Sequence, residues 1–194
     1  MGLVGAVVGA LVAAVPLLLT RGGGGGGLGA SKDSISAPEA LGAYRPMLKN
    51  SKVNGDTVKR LTDTESVSGK NLSAAYGGAG AVFRQYADDS IQNSFTLEAV
   101  RAESPKPFYP YVNPAQIGLA EAEQDVEAFG QVNCLIHYLP VQQGQTVEPD
   151  QVQALICERT SSHLTVRLRF NFGDAWHKPA DAAALTDQAW SQLS

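Results

Sequence analysis

Histidine, cysteine and charge are all scarce in this chain of 194 residues, which has three histidines, two cysteines and 18% Asp, Glu, Lys and Arg. That scarcity excludes most metal and redox chemistry. Two cysteines without a histidine at ligand spacing make no zinc site, and Cys134 and Cys157 are too far apart for a CxxC redox pair. No GxSxG, HExxH or SxxK sequence occurs, so the common hydrolase signatures are missing. Positive charge is not in excess. Fifteen Lys and Arg stand against nineteen Asp and Glu, a net charge of −4, which gives no electrostatic basis for binding nucleic acid. Six consecutive glycines, Gly22 to Gly27, lack the Gly-Lys-Ser/Thr step of a phosphate-binding loop. No cofactor and no metal are expected.

What the chain does have is an uninterrupted apolar run, residues 2–19 (GLVGAVVGALVAAVPLLL), directly after the initiator Met. As a helix at ~1.5 Å per residue it spans ~27 Å, close to the hydrocarbon core of a bilayer. It reads as a single-pass anchor through residues 1–20, with the lipid bilayer as its partner. A cleaved signal peptide is the alternative. It would use the weak small-x-small site Gly27-Leu28-Gly29, but the n-region has no Lys or Arg. The flanking charges, Arg21 and Lys32, lie on the C-terminal side and by themselves favour a cytoplasmic C-terminus. Residues 21–37 follow as a glycine-rich linker, and 38–70 read as a partly ordered polar lead-in. Residues 71–194 are long enough for one domain with a core.

Within 71–194 the hydrophobic period changes twice. Leu72, Ala75, Tyr76, Ala79, Val82, Phe83 and Tyr86 recur at steps of three and four, which predicts a helix through about Ser90. Phe95, Leu97 and Ala99 then alternate with other residues, which predicts a strand. Residues 104–114 (SPKPFYPYVNP) hold four prolines and three aromatics and read as an irregular loop, with a short helical piece over roughly 114–128. Residues 131–139, 152–160 and 163–172 read as strands, and Pro179 to about Leu193 as a closing helix. The expected fold class is therefore α+β: an N-terminal transmembrane helix, then a helix, a roughly four-stranded antiparallel sheet and a C-terminal helix.

Pairing 131–139 with 152–160 as a hairpin centred on Gln145-Thr146 sets Cys134 opposite Cys157 and Ile136 opposite Leu155. Directly facing residues come close enough for a disulfide. A turn at Ser161-Ser162 adds the third strand, with Val166 opposite Cys157 and Leu168 opposite Leu155. All three strands then turn apolar residues to one face, which a one-residue slip would undo. A Cys134–Cys157 disulfide is the expectation. It also orients the anchor, because disulfides persist outside the reducing cytosol.

Candidate sites are few. Arg167 and Arg169 share a strand face with Thr165 and Asn171. That face is either simply solvated or a site for an anion or partner, since two guanidiniums suit a carboxylate or phosphate. Phe108, Tyr109 and Tyr111 form either a core edge or a recognition loop. Asp174 and His177 could orient a general base, but no nucleophile motif accompanies them. Asp88-Asp89 form an acidic pair in a last helical turn, read as a solvated end or a cation site.

The layout as a whole combines the apolar anchor, the glycine tether, Pro38 to Tyr44 (PEALGAY), Ala75 to Gly78 (AYGG) and the paired cysteines. It resembles uncharacterised exported, membrane-anchored proteins of high-GC Gram-positive bacteria. That resemblance implies a location and no activity. Helix plus antiparallel sheet is also the plan of cystatin-like α+β rolls, an analogy that carries no function. The leading expectation is a membrane-tethered extracytoplasmic domain that binds a ligand or an envelope protein partner and is not an enzyme. A ligand-sensing or accessory subunit of a cell-envelope complex is the second reading, and a hydrolase using Asp174 and His177 the third. A deep pocket around those two would favour the enzyme. A flat exposed patch around Tyr109 and Tyr111 would favour a partner surface.

Overall fold

A computed structural model describes residues 30–194. The apolar run at 2–19 lies outside the described residues, and no helix among the described ones is long and apolar enough to cross a membrane. Within 30–194 the fold is a seven-stranded antiparallel sheet with two helices, larger than the four strands expected. The strands are β1 (Arg45–Pro46), β2 (Ala81–Ala87), β3 (Ser94–Val100), β4 (Gln124–Phe129), β5 (Val132–Tyr138), β6 (Val152–Thr160) and β7 (Thr165–Phe172). They lie side by side in the order β1-β2-β3-β7-β6-β5-β4.

The first helix, α1, runs over Gly55–Ala75, so most of it lies in the stretch 38–70 expected to be a partly ordered lead-in and only its last turn falls in the expected helix from Asn71. Asn54 caps it, its side chain accepting from Thr57 N at 2.9 Å, and Asp56 sits in the first turn, where the helix dipole favours negative charge. Gly77 and Gly78 end it at φ 67° and 86°, a left-handed conformation that suits glycine. The expected helix through Ser90 is therefore wrong, and Val82, Phe83 and Tyr86 belong to β2. The physical reason is that α1 buries only Leu61 and Glu65, so its own apolar period is faint. The expected helical piece at 114–128 is also overturned. It is one 3-10 turn, Pro114–Ile117, followed by the edge strand β4, whose charged residues Asp125 and Glu127 hide the apolar alternation of a strand.

The cysteine register is as expected. Cys134 faces Cys157, Leu135 faces Ile156, and the two cysteines form a disulfide with both side chains fully buried. Two details differ. A bulge after Leu135 sets Ile136 opposite Ala154, so Ala154 takes the buried place assigned to Leu155. On the other side, Leu168 faces Cys157 and Val166 faces Arg159, a slip of two residues. A two-residue slip keeps every side chain on its predicted face.

One face of the sheet carries the core: Tyr86, Phe95, Leu97, Ala99, Cys134, Ile136, Cys157, Val166, Leu168 and Phe170. The second helix, α2 (Pro179–Leu193), covers β5, β6 and β7 on this face. Its buried residues are small apart from Leu193 at its end (Ala182, Ala183, Thr186 and Ala189), which lets its backbone lie close to the sheet. Leu41 and Tyr44 pack over the β2–β3 side of the same core, and the Tyr86 hydroxyl donates to Pro38 O. At the β2 edge, buried Glu65 of α1 accepts from Gln85 N at 2.9 Å, satisfying an edge amide that has no strand partner.

Replacing both cysteines by alanine opens a loop closed at a sequence separation of 23. The expected loss is about 3 kcal/mol of unfolding free energy, read from urea denaturation. An unchanged midpoint contradicts a structural role for the disulfide.

Candidate functional site

The second face of the sheet is the one α2 leaves uncovered. The registers place two straight rows of side chains across it. One runs Phe83, Glu98, Arg167, Glu158, Asn133, Ala128 across six strands, and the other runs Gln85, Thr96, Arg169, Ile156, Leu135, Val126. Charge therefore concentrates at the middle strands, with half-buried apolar residues toward the β4 edge.

Arg167 lies between two carboxylates. Its Nε donates to Glu158 Oε2 at 2.8 Å and its Nη2 donates to the same oxygen. Its Nη1 donates to Glu98 Oε2 at 3.3 Å. Arg169 reaches the other oxygen of Glu98, with Nε at 3.4 Å. Glu158 is 1% exposed. Burial pushes its carboxyl above the usual range, with Arg167 opposing that rise. Its second oxygen, Oε1, has no hydrogen-bond partner among the described residues. Both arginines, read from the sequence as a solvated face or an anion or partner site, are engaged by carboxylates of the chain itself. What remains open to solvent is the outer part of Arg169, whose side chain is 48% exposed.

The same network fixes the start of the proline-rich loop. Ser104, 4% exposed, donates its amide to Thr160 Oγ1 at 3.2 Å and accepts from Tyr76 OH at 2.9 Å. Arg167 Nη2 lies 3.4 Å from the Ser104 hydroxyl. Thr165 Oγ1 donates to Ala102 O at 2.8 Å, just before the loop begins. Residues 103–113 then run without helix or strand, Ala120 N donates to Val141 O in the β5–β6 connection, and the chain rejoins the sheet at β4. Between those ends the loop presents Phe108 and Tyr111, 84% and 87% exposed, with Tyr109 and Val112 each at 37%. Tyr109 and Tyr111 lie on this surface, and Arg167 and Arg169 belong to the network at its base.

Asp174 and His177 fall in a 3-10 turn before α2. His177 Nδ1 lies 2.9 Å from Val152 O, so that nitrogen carries the proton and donates to the carbonyl. The Asp174 amide donates to Asn93 Oδ1, and no hydrogen bond joins the Asp174 and His177 side chains. An open trough of about 760 Å³ lies between α1 and β2, lined by residues such as Lys32, Ser66, Gly69 and Arg84. Neither Asp174 nor His177 lines it. Asp88 closes a turn, accepting from Ser90 Oγ, Gln92 N and Asn93 Nδ2. Burial raises its pKa, but those bonds outweigh it and hold the carboxyl below the usual range. Among the described residues no group of three metal-ligating side chains converges.

The sequence pattern does not mark Glu98, Glu158, Ser104 or Tyr76 as members of a site. Glu158 was discoverable, since a carboxylate beside Cys157 in a buried strand needs a partner. The two-residue slip hid that partner, because the expected register set Glu158 against Thr165 where the observed one sets it against Arg167. No protein-family model matches the chain, and no curated protein or solved structure is significantly similar to it.

Arg167→Met strands a buried carboxylate. It is expected to cost about 3–5 kcal/mol of stability, whereas Arg167→Met combined with Glu158→Leu recovers most of that loss. Urea unfolding of both variants reads the difference. A loss below about 1 kcal/mol in the single variant contradicts a desolvated pair.

Proposed function

We propose that this chain is a non-catalytic interaction domain, held outside the cytoplasm at the cell membrane by its apolar N-terminal run, that makes its contact through the proline–aromatic loop. One observation carries the reading. Of eight large hydrophobic side chains exposed among the described residues, five (Phe108, Tyr109, Tyr111, Val112 and Ile117) fall within ten residues of sequence. A concentrated exposed apolar patch on an otherwise ordinary surface marks an interaction site. The loop is also anchored rather than loose, since Ser104 is tied to β6 and α1. Location is supported by the run at 2–19 together with the disulfide, a bond that persists in oxidising compartments.

A photoreactive residue at position 111, introduced into the full chain in intact cells, is expected to give adducts with the loop's partner, whether protein or lipid. The same residue at Lys59, exposed on α1, is expected to give none. Phe108→Ala with Tyr111→Ala should shift stability by no more than about 0.5 kcal/mol, because both side chains are in solvent. Equal adducts at 111 and 59, or none at either, would refute the loop as the contact.

A further inference from the structure

We infer that the aromatic edge of residues 105–112 docks on the lipid–water interface of the membrane that holds the chain. The inference rests on the tethered reading above and names the partner of the same loop.

Residues 108–112 are all exposed, and the inward-facing positions on either side, 104, 107 and 113, fit a spacing of three. Phe108 and Tyr111 are the most exposed of the loop's large apolar side chains at 84% and 87%, and Tyr109 and Val112 match at 37%. Ser104 is buried, Pro107 and Asn113 are half-buried, and Pro110 alone departs from the inward series. Three residues per turn is the period of a polyproline II helix. The composition enforces it. Pro105, Pro107, Pro110 and Pro114 fix their own φ, and each holds the residue before it in extended conformation. Eight of the eleven residues in 104–114 are constrained in this way. The segment is a stiff strut with Phe108 and Tyr111 on one outward edge.

The strut begins where the chain joins the domain. Ser31 N donates to Arg101 O, Gly80 N donates to Ser31 O, and Arg101 N donates to Gly80 O, each at 2.8 Å. The join is tight, because a Cβ on Gly80 would overlap the Asp33 carbonyl. Arg101 is only two residues before Glu103, so the chain coming from the apolar run reaches the sheet beside the root of the aromatic strut. From Arg21 to Ser31 the backbone can extend at most ~35 Å. The aromatic edge therefore stays close to the bilayer that holds residues 2–19.

The side chains suit that interface better than a specific protein groove. Phenylalanine is fully apolar, and tyrosine places an apolar ring below a hydroxyl that remains among headgroups. Charge adds no selectivity, since Lys106 and Glu103 are the only charged residues in 103–114 and they cancel. Docking should therefore occur on zwitterionic lipid. A few aromatic side chains bind weakly alone, but a tether converts binding into an intramolecular step at millimolar effective concentration.

The test uses the full chain in phosphatidylcholine vesicles, with Val112→Cys carrying an NBD fluorophore. Both native cysteines are in the disulfide, so the label is unique. The expected result is a blue-shifted emission quenched by spin-labelled lipid, absent from a Lys59→Cys label and lost when Phe108→Ser and Tyr111→Ser are added. If the chain floats with vesicles but the label at 112 is unquenched, lipid docking is overturned while anchoring stands. Adducts at 111 that are protein, with a silent NBD label, likewise overturn lipid docking and leave the interaction reading standing. Quenching that survives Phe108→Ser/Tyr111→Ser also overturns the proposal. A chain that fails to float overturns the tether and the docking together.

Discussion

Arg167 sits in the middle strand of the sheet with a carboxylate from each neighbour, Glu158 on β6 and Glu98 on β3. A buried ion pair of this kind is not itself a large source of stability, because removing two charges from water costs nearly what their attraction returns. Its consequence is register. Slide β7 by two residues so that Thr165 faces Glu158, and the core face stays apolar, but Glu158 loses the guanidinium opposite it in a buried strand. The apolar pattern cannot distinguish those two registers; the charge can. The guanidinium also lies beside the Ser104 hydroxyl, so one side chain ties three strands and the root of the loop.

The two faces of the sheet divide the work. The core face is closed by α2, the Leu41–Tyr44 segment and the disulfide, packed together as one buried cluster. The other face carries the ion network and, above its end, the proline–aromatic loop. Rigidity on the first face lets the second hold apolar side chains in solvent without collapsing onto them. Prolines complete the arrangement, since a strut whose dihedral angles are fixed loses little entropy on docking.

Much of this was legible in the sequence. Turn length allows hairpins centred on Gly144-Gln145 or on Gln145-Thr146, which share the same faces, and only the second sets Cys134 against Cys157, as observed. Strand β3, the loop at 104–114 and helix α2 followed from period and proline content. Helix α1 was hidden because it is amphipathic only faintly, with Glu65 in a place an apolar residue would mark. Strand β2 borrowed a helical spacing by coincidence, since Ala79, Val82, Phe83 and Tyr86 satisfy steps of three and four while only Tyr86 among the last three is fully buried. Edge strand β4 escaped because charged edges suppress alternation. The candidate site was half visible. Tyr109, Tyr111, Arg167 and Arg169 were seen as separate features, and only long-range pairing joins the arginines to Ser104 and hence to the loop.

Everything proposed for the aromatic loop requires that the Arg167 network and the prolines hold it in one extended shape. Nitrogen-15 relaxation on the full chain in detergent micelles reads that shape at the amides of Ser104, Lys106, Phe108, Tyr109, Tyr111, Val112 and Asn113. Order parameters near the ~0.85 of rigid backbone are expected, comparable with β6 and β7. Values below about 0.6 across Lys106 to Val112 would rule out a fixed loop, because a segment that mobile presents no constant edge to any partner.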